Sequence, residues 1–291
     1  MQTIIEKAAV LIEALPYIQD FKGSIVVVKV GGSVMDSDAN LERLLTDIAF
    51  MSTVGIKAVL VHGGGKAISR EMEREGIAPS FVQGLRVTCG RTIRVVERVL
   101  KRGINANITR ILQARGVSAR PLHGDWIFTC EKKTGRDAEG NTLDWGFVGS
   151  PTGVDSRAVT EMLNAGMLPV VTPLGAGPDG AVHNMNADTA ASALAMALKA
   201  RKLAFISDVP GLLRDVNDPD SRIASLRVGA IETLKEAGIV GGGMLPKLES
   251  CAGAIRAGVG KVHLVDGRMP HSLLLEIFTK TGVGTEIIHD E

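Results

Sequence analysis

Short β-branched runs that end in glycine and pass at once into helical periodicity constrain this chain more than any other feature. Residues 25–30 read IVVVKV, close on Gly31-Gly32, and give way to NLERLLTDIAFM with its period near 3.6. AVLVH at 58–62 meets Gly63-Gly64-Gly65 and then KAISREMEREG, where Gly76 suits a left-handed helix end. A third such unit is expected from TIRVVERVLKRGINANITRILQARG. Strands that alternate with helices point to parallel neighbours, so the pattern predicts an α/β fold with a mainly parallel central sheet between two helical layers.

The stretch 123–148, HGDWIFTCEKKTGRDAEGNTLDWGFV, interrupts this rhythm, and its turn-rich GRDAEGN predicts an antiparallel hairpin of the kind that lies over a site. From Asp155 the alternation resumes. DSRAVTEMLNAG reads as helix, LPVVTPLG as strand, ADTAASALAMALKA as helix and KLAFISDVPG as strand; RVGAIETLKEAG and LPKLESCAGAIRAG follow as helices and KVHLVDG as strand. Gly175, Gly177, Pro178 and Gly180 crowd the segment Thr172–Gly180, which is expected to be a seam between two lobes. The expected units are a helix over residues 1–22, a lobe over 23–174 and a lobe over 175–291.

Charge excludes some partners. The 33 Lys and Arg against 32 Asp and Glu leave a net charge of +1, so no overall field draws the chain to nucleic acid or to an anionic membrane. Cys89, Cys130 and Cys251 have no paired spacing, which argues against a disulfide framework or a zinc site and fits a reducing compartment. The run AAVLI near the start is bracketed by Glu6 and Glu13 and reads as helix, not as a leader, and nothing approaches the ~20 apolar residues that cross a bilayer. A cytoplasmic location is expected.

Glycine lets a backbone come close to an anion, and a helix start just beyond it offers unpaired N–H groups at the positive end of the dipole. Gly31-Gly32, Gly63-Gly64-Gly65-Lys66 and Gly241-Gly242-Gly243 ahead of Lys247 all have this form. Neither common phosphate motif is met. Ala67 follows Gly65-Lys66 where a Walker loop needs Ser or Thr, and Ile68 stands where a dinucleotide fingerprint needs Gly or Ala.

Lys29 is the most telling residue, because an ammonium in an apolar strand either points at a ligand or threads its head to water. Lys247 at a helix start is misplaced for the dipole unless an anion joins it, or it is simply exposed. Asp188 in Asn184-Met185-Asn186-Ala187-Asp188 could serve a site or cap its helix, and Arg86 could clamp a carboxylate or sit in a surface ion pair. The six histidines show no metal spacing, and His62 is expected to bond locally beneath its loop.

Taken in order and spacing, KVGGS, VHGGGKAIS, GLRVT, HNMNADTAASALA, SDVPGLL and GGGMLPKLE resemble the amino acid kinase family over nearly the whole chain. What the resemblance implies is phosphoryl transfer from MgATP, a co-substrate, to the γ-carboxylate of N-acetyl-L-glutamate on the arginine pathway, with no tightly bound cofactor and no protein ligand to the metal. It implies Lys29 and Lys247 as the groups that stabilise the transferring phosphoryl, with Asp188 holding both. Gly64, Gly65, Arg86 and Asn184 would bind the acceptor. Gly31, Gly32, Ser207, Asp208, Val209, Gly211 and Leu212 would bind nucleotide, placing acceptor and dimer contacts in the lobe 23–174 and ATP in the lobe 175–291.

Arginine-inhibited members of the family are similar in a further respect. Ile4, Ile5, Ala8, Leu11, Ile12, Leu15 and Ile18 form an apolar stripe on the 1–22 helix, which in those members links dimers into a hexameric ring, and Gly284, Thr285 and Glu286 resemble their arginine site. A homo-oligomer under feedback inhibition by L-arginine is therefore implied. The segment Ala119–Trp126 and Cys89 depart from the family pattern beside the acceptor. N-acetyl-aminoadipate, longer by one methylene, and the acceptors of sister kinases stay open, as does a sensor that binds without turnover.

Overall fold

The computed structural model describes residues 2–137, 139–240, 244–279 and 281–290, without the side chains of residues 2–4, 6–8, 10 and 11. The chain begins with α1 (Gln2–Phe21), β1 (Ile25–Val30), a 3₁₀ turn at Gly32–Asp36, α2 (Asp38–Thr53), β2 (Lys57–His62) and α3 (Gly65–Arg74). A small hairpin of β3 (Phe81–Val82) and β4 (Leu85–Arg86) leads to α4 (Gly90–Arg98), a π-helical turn at Val99–Asn105, α5 (Ala106–Ala114) and β5 (Ala119–Leu122). Then come β6 (Phe128–Arg136), β7 (Thr142–Val154), α6 (Arg157–Asn164), β8 (Leu168–Val171), β9 (Leu174–Ala176), β10 (Val182–Met185) and α7 (Ala187–Ala197). The last third holds β11 (Lys202–Ser207), β12 (Ser225–Arg227), α8 (Ala230–Glu236), α9 (Met244–Arg256), β13 (Lys261–Asp266), α10 (Ser272–Phe278) and β14 (Thr285–Ile288).

Eight strands form one sheet in the order β12-β14-β13-β11-β1-β2-β8-β5, parallel in every pair but β13–β14. β1 sits between β11 and β2 with both faces covered, which is why its residues are apolar without alternation. Period two still sorts them. Val26, Val28 and Val30 join the core under α2 and α5, whereas Val27 joins the core under α7 and α9. Lys29 shares the face of Val27, so the strand itself delivers its ammonium toward α7.

Two expectations are corrected. The third unit opens with no strand: TIRVVERVL is helix α4 running into the π turn, because Ile93, Val95, Val96 and Leu100 bury one helical face, and its strand β5 comes afterwards. The glycine-dense segment at 172–180 is no simple seam either. It forms β9 and a turn, and β9 and β10 pair with β6 and β7 in a closed four-stranded ring, so the expected boundary at 174–175 cuts through that ring. The antiparallel hairpin is present as β6 and β7. No helix among the described residues is long and apolar enough to cross a membrane.

Candidate active site

The carboxyl ends of β1 and β2, the start of α7 and the start of α9 meet around one carboxylate. Asn186 caps α7, its side chain accepting from the N–H groups of Asp188 and Thr189, so Asp188 is released from capping. Its Oδ2 accepts a 2.7 Å hydrogen bond from Lys247 Nζ, and its Oδ1 lies 2.7 Å from Lys29 Nζ as an ion pair outside hydrogen-bond angles. Burial alone would push the Asp188 carboxyl up; the fields of Lys29 and Lys247 outweigh it and hold the pKa down at about 2. The Lys247 ammonium also stands 5.1 Å above the Phe205 ring, whose residue pairs with Lys29 across β11 and β1. The glycine run 241–243 ahead of α9 lies outside the described residues.

The loops after β1 and β2 come as close as glycine permits. A Cβ on Gly31 would overlap the Lys29 ammonium, and one on Gly64 would stand 2.8 Å from both Leu100 Cδ2 and Ile104 Cδ1. Gly32 has φ +63°, open to glycine at little cost, and faces the Asp208 carboxylate. Between these loops and β10 lies a cavity of about 240 Å³ lined by Lys29, Gly31, Gly32, Gly64, Gly65, Arg86, Asn184 and Asp188. Eight of the residues singled out from sequence thus converge on one space, and Lys247 reaches it through Asp188.

Arg86 is buried, which corrects the alternative of a surface ion pair. The β3–β4 hairpin turns through Gln83 and Gly84, both at positive φ, and sets Arg86 opposite Phe81, whose ring lies 4.6 Å from the guanidinium. One Nη donates to Gly65 O at 2.7 Å and to Ser69 Oγ at 2.8 Å. Phe81 and Ser69 are site residues that sequence reasoning missed. A signal existed for Ser69, four residues beyond Gly65 and one turn along α3.

The other expected residues lie nearby but apart from this cavity. Ser207 ends β11, and Ser33 N–H reaches Asp208 Oδ2 at 3.4 Å, joining the 207–212 loop to the glycines after β1. Gly211 has φ +105°, and Leu212 N–H donates to Thr285 Oγ1 at 2.8 Å. Thr285 is fully buried and Gly284 N–H is held by Glu276, so of Gly284, Thr285 and Glu286 only Glu286 opens onto a second cavity. That cavity, about 700 Å³, runs between Tyr17, Asp20 and Phe21 of α1 and the β11–β14 part of the sheet, with Lys202, Lys261, Glu276 and Glu286 in its walls.

Comparison with known proteins bears on the family and the fold. Residues 24–266 match the sequence profile of the amino acid kinase family. The acetylglutamate kinase of Heliobacterium modesticaldum is 44% identical, with 99% of this chain and 100% of that protein aligned. That of Symbiobacterium thermophilum is 43% identical, with 99% of each aligned. Among solved structures, N-acetylglutamate synthase from Neisseria gonorrhoeae complexed with coenzyme A and N-acetyl-glutamate has a TM-score of 0.85 at 26% identity, covering 98% of this chain and 64% of the synthase. Its complex with coenzyme A and L-arginine gives 0.80 at 25% identity, covering 97% and 65%.

Proposed function

We propose, for a chain that belongs to the amino acid kinase family, that the carboxylate bridge described above is where it phosphorylates the γ-carboxylate of N-acetyl-L-glutamate with ATP, a step of arginine biosynthesis. Transfer of a phosphoryl group needs little covalent help. The attacking oxygen and the γ-phosphorus must be brought into line, and the charge on the migrating group must be met by fixed donors. Lys29 and Lys247 supply two ammonium groups, and Asp188 keeps them apart from each other and pointed inward. The single observation that carries the reading is that one half-buried carboxylate meets both lysines, from β1 and from α9.

In the same reading the N–H groups of Gly31 and Gly32 meet the phosphates and that of Gly64 meets the attacking carboxylate. Arg86 takes the α-carboxylate of the acceptor with the donors left over from Gly65 and Ser69, and Asn184 reaches its acetamido group. Magnesium arrives on the ATP phosphates, and the nucleotide lies along Ser207, Asp208, Val209, Gly211 and Leu212.

The second cavity is the proposed L-arginine site. Its carboxylates suit a guanidinium and its lysines a carboxylate, and α1 forms one wall. Ile5, Ile12 and Leu15 are exposed on that helix at 65%, 69% and 44%. Such a surface suits a helix that joins dimers into a hexamer, and a dimer in solution, indifferent to millimolar arginine, removes this part.

The test is an acyl-phosphate trap: purified chain, MgATP and hydroxylamine, with N-acetyl-L-glutamate beside N-acetyl-aminoadipate, glutamate and aspartate. Hydroxamate is expected with N-acetyl-L-glutamate. None from any acceptor would refute the catalytic reading and favour the sensor.

A further inference from the structure

His62 closes β2 at full burial, where the strand hands over to three glycines. Asn105, equally buried, closes the π-helical turn Val99–Asn105, the same turn that brings Leu100 and Ile104 against Gly64. The Asn105 amide nitrogen lies 2.7 Å from Val170 O and 3.1 Å from His62 Nε2, while its Oδ1 is buried with no partner among the described residues.

That arrangement fixes a proton. An amide nitrogen carries two hydrogens and accepts nothing, so both are used by these two neighbours, and His62 Nε2 must present its lone pair. Turning the amide over would set its oxygen against Val170 O and leave two acceptors in contact. The imidazole proton is therefore on Nδ1, which donates to Gly63 O at 2.9 Å. Burial keeps the ring neutral, with its pKa pushed down to about 4.

The carbonyl so held belongs to the 63–64 peptide, whose other end is the Gly64 N–H. Gly63 N–H is tied to Val30 O at 2.8 Å and Gly64 O accepts from Ile68 N–H at 2.9 Å, but between these anchors the glycines have no side chain to restrain them. His62 makes the one hydrogen bond that holds Gly63 O among the described residues. We propose that His62 and Asn105 are positioning residues for phosphoryl transfer, a relay in which Asn105 selects the histidine tautomer and the histidine aims the Gly64 N–H into the active-site cavity. The proposal rests on the reading of the preceding subsection for what Gly64 meets there.

Two measurements on the full chain test it. Long-range proton–nitrogen NMR of histidine-labelled protein is expected to give His62 a neutral Nδ1–H pattern that holds from about pH 5.5 to 8.5. A neutral Nε2–H pattern, or titration in that range, overturns the relay. In the hydroxamate assay His62→Leu is expected to lower kcat by ~10²–10³, the loss seen when one preorganised donor is misdirected, with KM for ATP within about twofold. His62→Asn, whose amide N–H can stand where Nδ1–H stands, is expected to recover kcat to within about tenfold of wild type. Folded His62→Leu at wild-type turnover, or His62→Asn as slow as His62→Leu, overturns the proposal. If His62→Leu does not fold, Asn105→Ala serves: a mixture of tautomers with kcat down about tenfold is expected, and an unchanged tautomer with unchanged kcat overturns it. Wild-type protein that yields no hydroxamate refutes the kinase reading instead and leaves the tautomer assignment standing.

Discussion

The Lys247 ammonium on α9 donates a 2.7 Å hydrogen bond to Asp188 on α7, across 59 residues of sequence, while the other carboxylate oxygen meets Lys29 on β1. Two cations share one anion, so the cluster keeps a net positive charge beside the glycine loops. A phosphoryl group in flight needs that surplus. Lys29→Ala and Lys247→Ala are each expected to lower kcat by ~10²–10³ in the hydroxamate assay. Wild-type turnover in either variant would show that its lysine does not face the transferring group.

Asp188 also makes a prediction about acid. Its folded pKa, about 2, lies below the ordinary 3.8, so folding favours the ionised form. The stabilisation, about 2 kcal/mol, is complete above roughly pH 5 and is lost as pH falls through 4 toward 2. Urea midpoints of wild type are expected to drop over that window more steeply than those of Asp188→Asn. Parallel curves would mean that the lysines do not hold the carboxylate as drawn.

Lys29 was legible from sequence because a charge in an apolar strand has few destinations, and strand periodicity then sends it to the face where α7 begins. Asp188 could be read as cap or as site, and only the structure shows Asn186 doing the capping. Phe81 and Asn105 were not legible, since each acts through a partner distant in sequence or across a turn whose geometry the residues do not announce, whereas Ser69 could have been found one helical turn beyond Gly65. The segment at 172–180 misled for a related reason. Gly175 marks where the Cys130 thiol and the Met185 thioether come close and Gly177 where the His183 ring does, and close packing inside a ring looks in sequence like a linker.

Arg86 is expected to set acceptor affinity. Its planar fork reaches Gly65 O and Ser69 with one nitrogen and keeps further donors for a carboxylate, a geometry that lysine lacks. Arg86→Lys is expected to raise KM for N-acetyl-L-glutamate by ~10–100-fold, the worth of a charge-assisted pair, with KM for ATP near wild type. A rise in KM for ATP alone would place Arg86 on the nucleotide instead.

The second cavity, as the proposed arginine site, predicts how its affinity for arginine should depend on pH. Lys202 is buried there beside Phe21 of α1, and burial, reinforced by neighbouring Lys261, pushes its pKa down to about 8. A ligand carboxylate would meet a charged Lys202 below that value and a neutral amine above it. Glu286 and Glu276, held below the ordinary carboxylate range by Lys261 and His263 against the effect of burial, stay ionised throughout and keep their pull on a guanidinium. Arginine affinity, measured by calorimetry, is therefore expected to fall as pH rises past 8, by up to ~10-fold per unit. Lys202→Gln should bind more weakly at pH 7 and lose this dependence. Arg201 ties the end of α1 to the same wall through Asp20 at 2.5 Å, so whatever fills the cavity also bears on the helix proposed to join dimers. An affinity flat from pH 7 to 9 in wild type would take the ligand's carboxylate away from Lys202, and with it the orientation proposed for arginine.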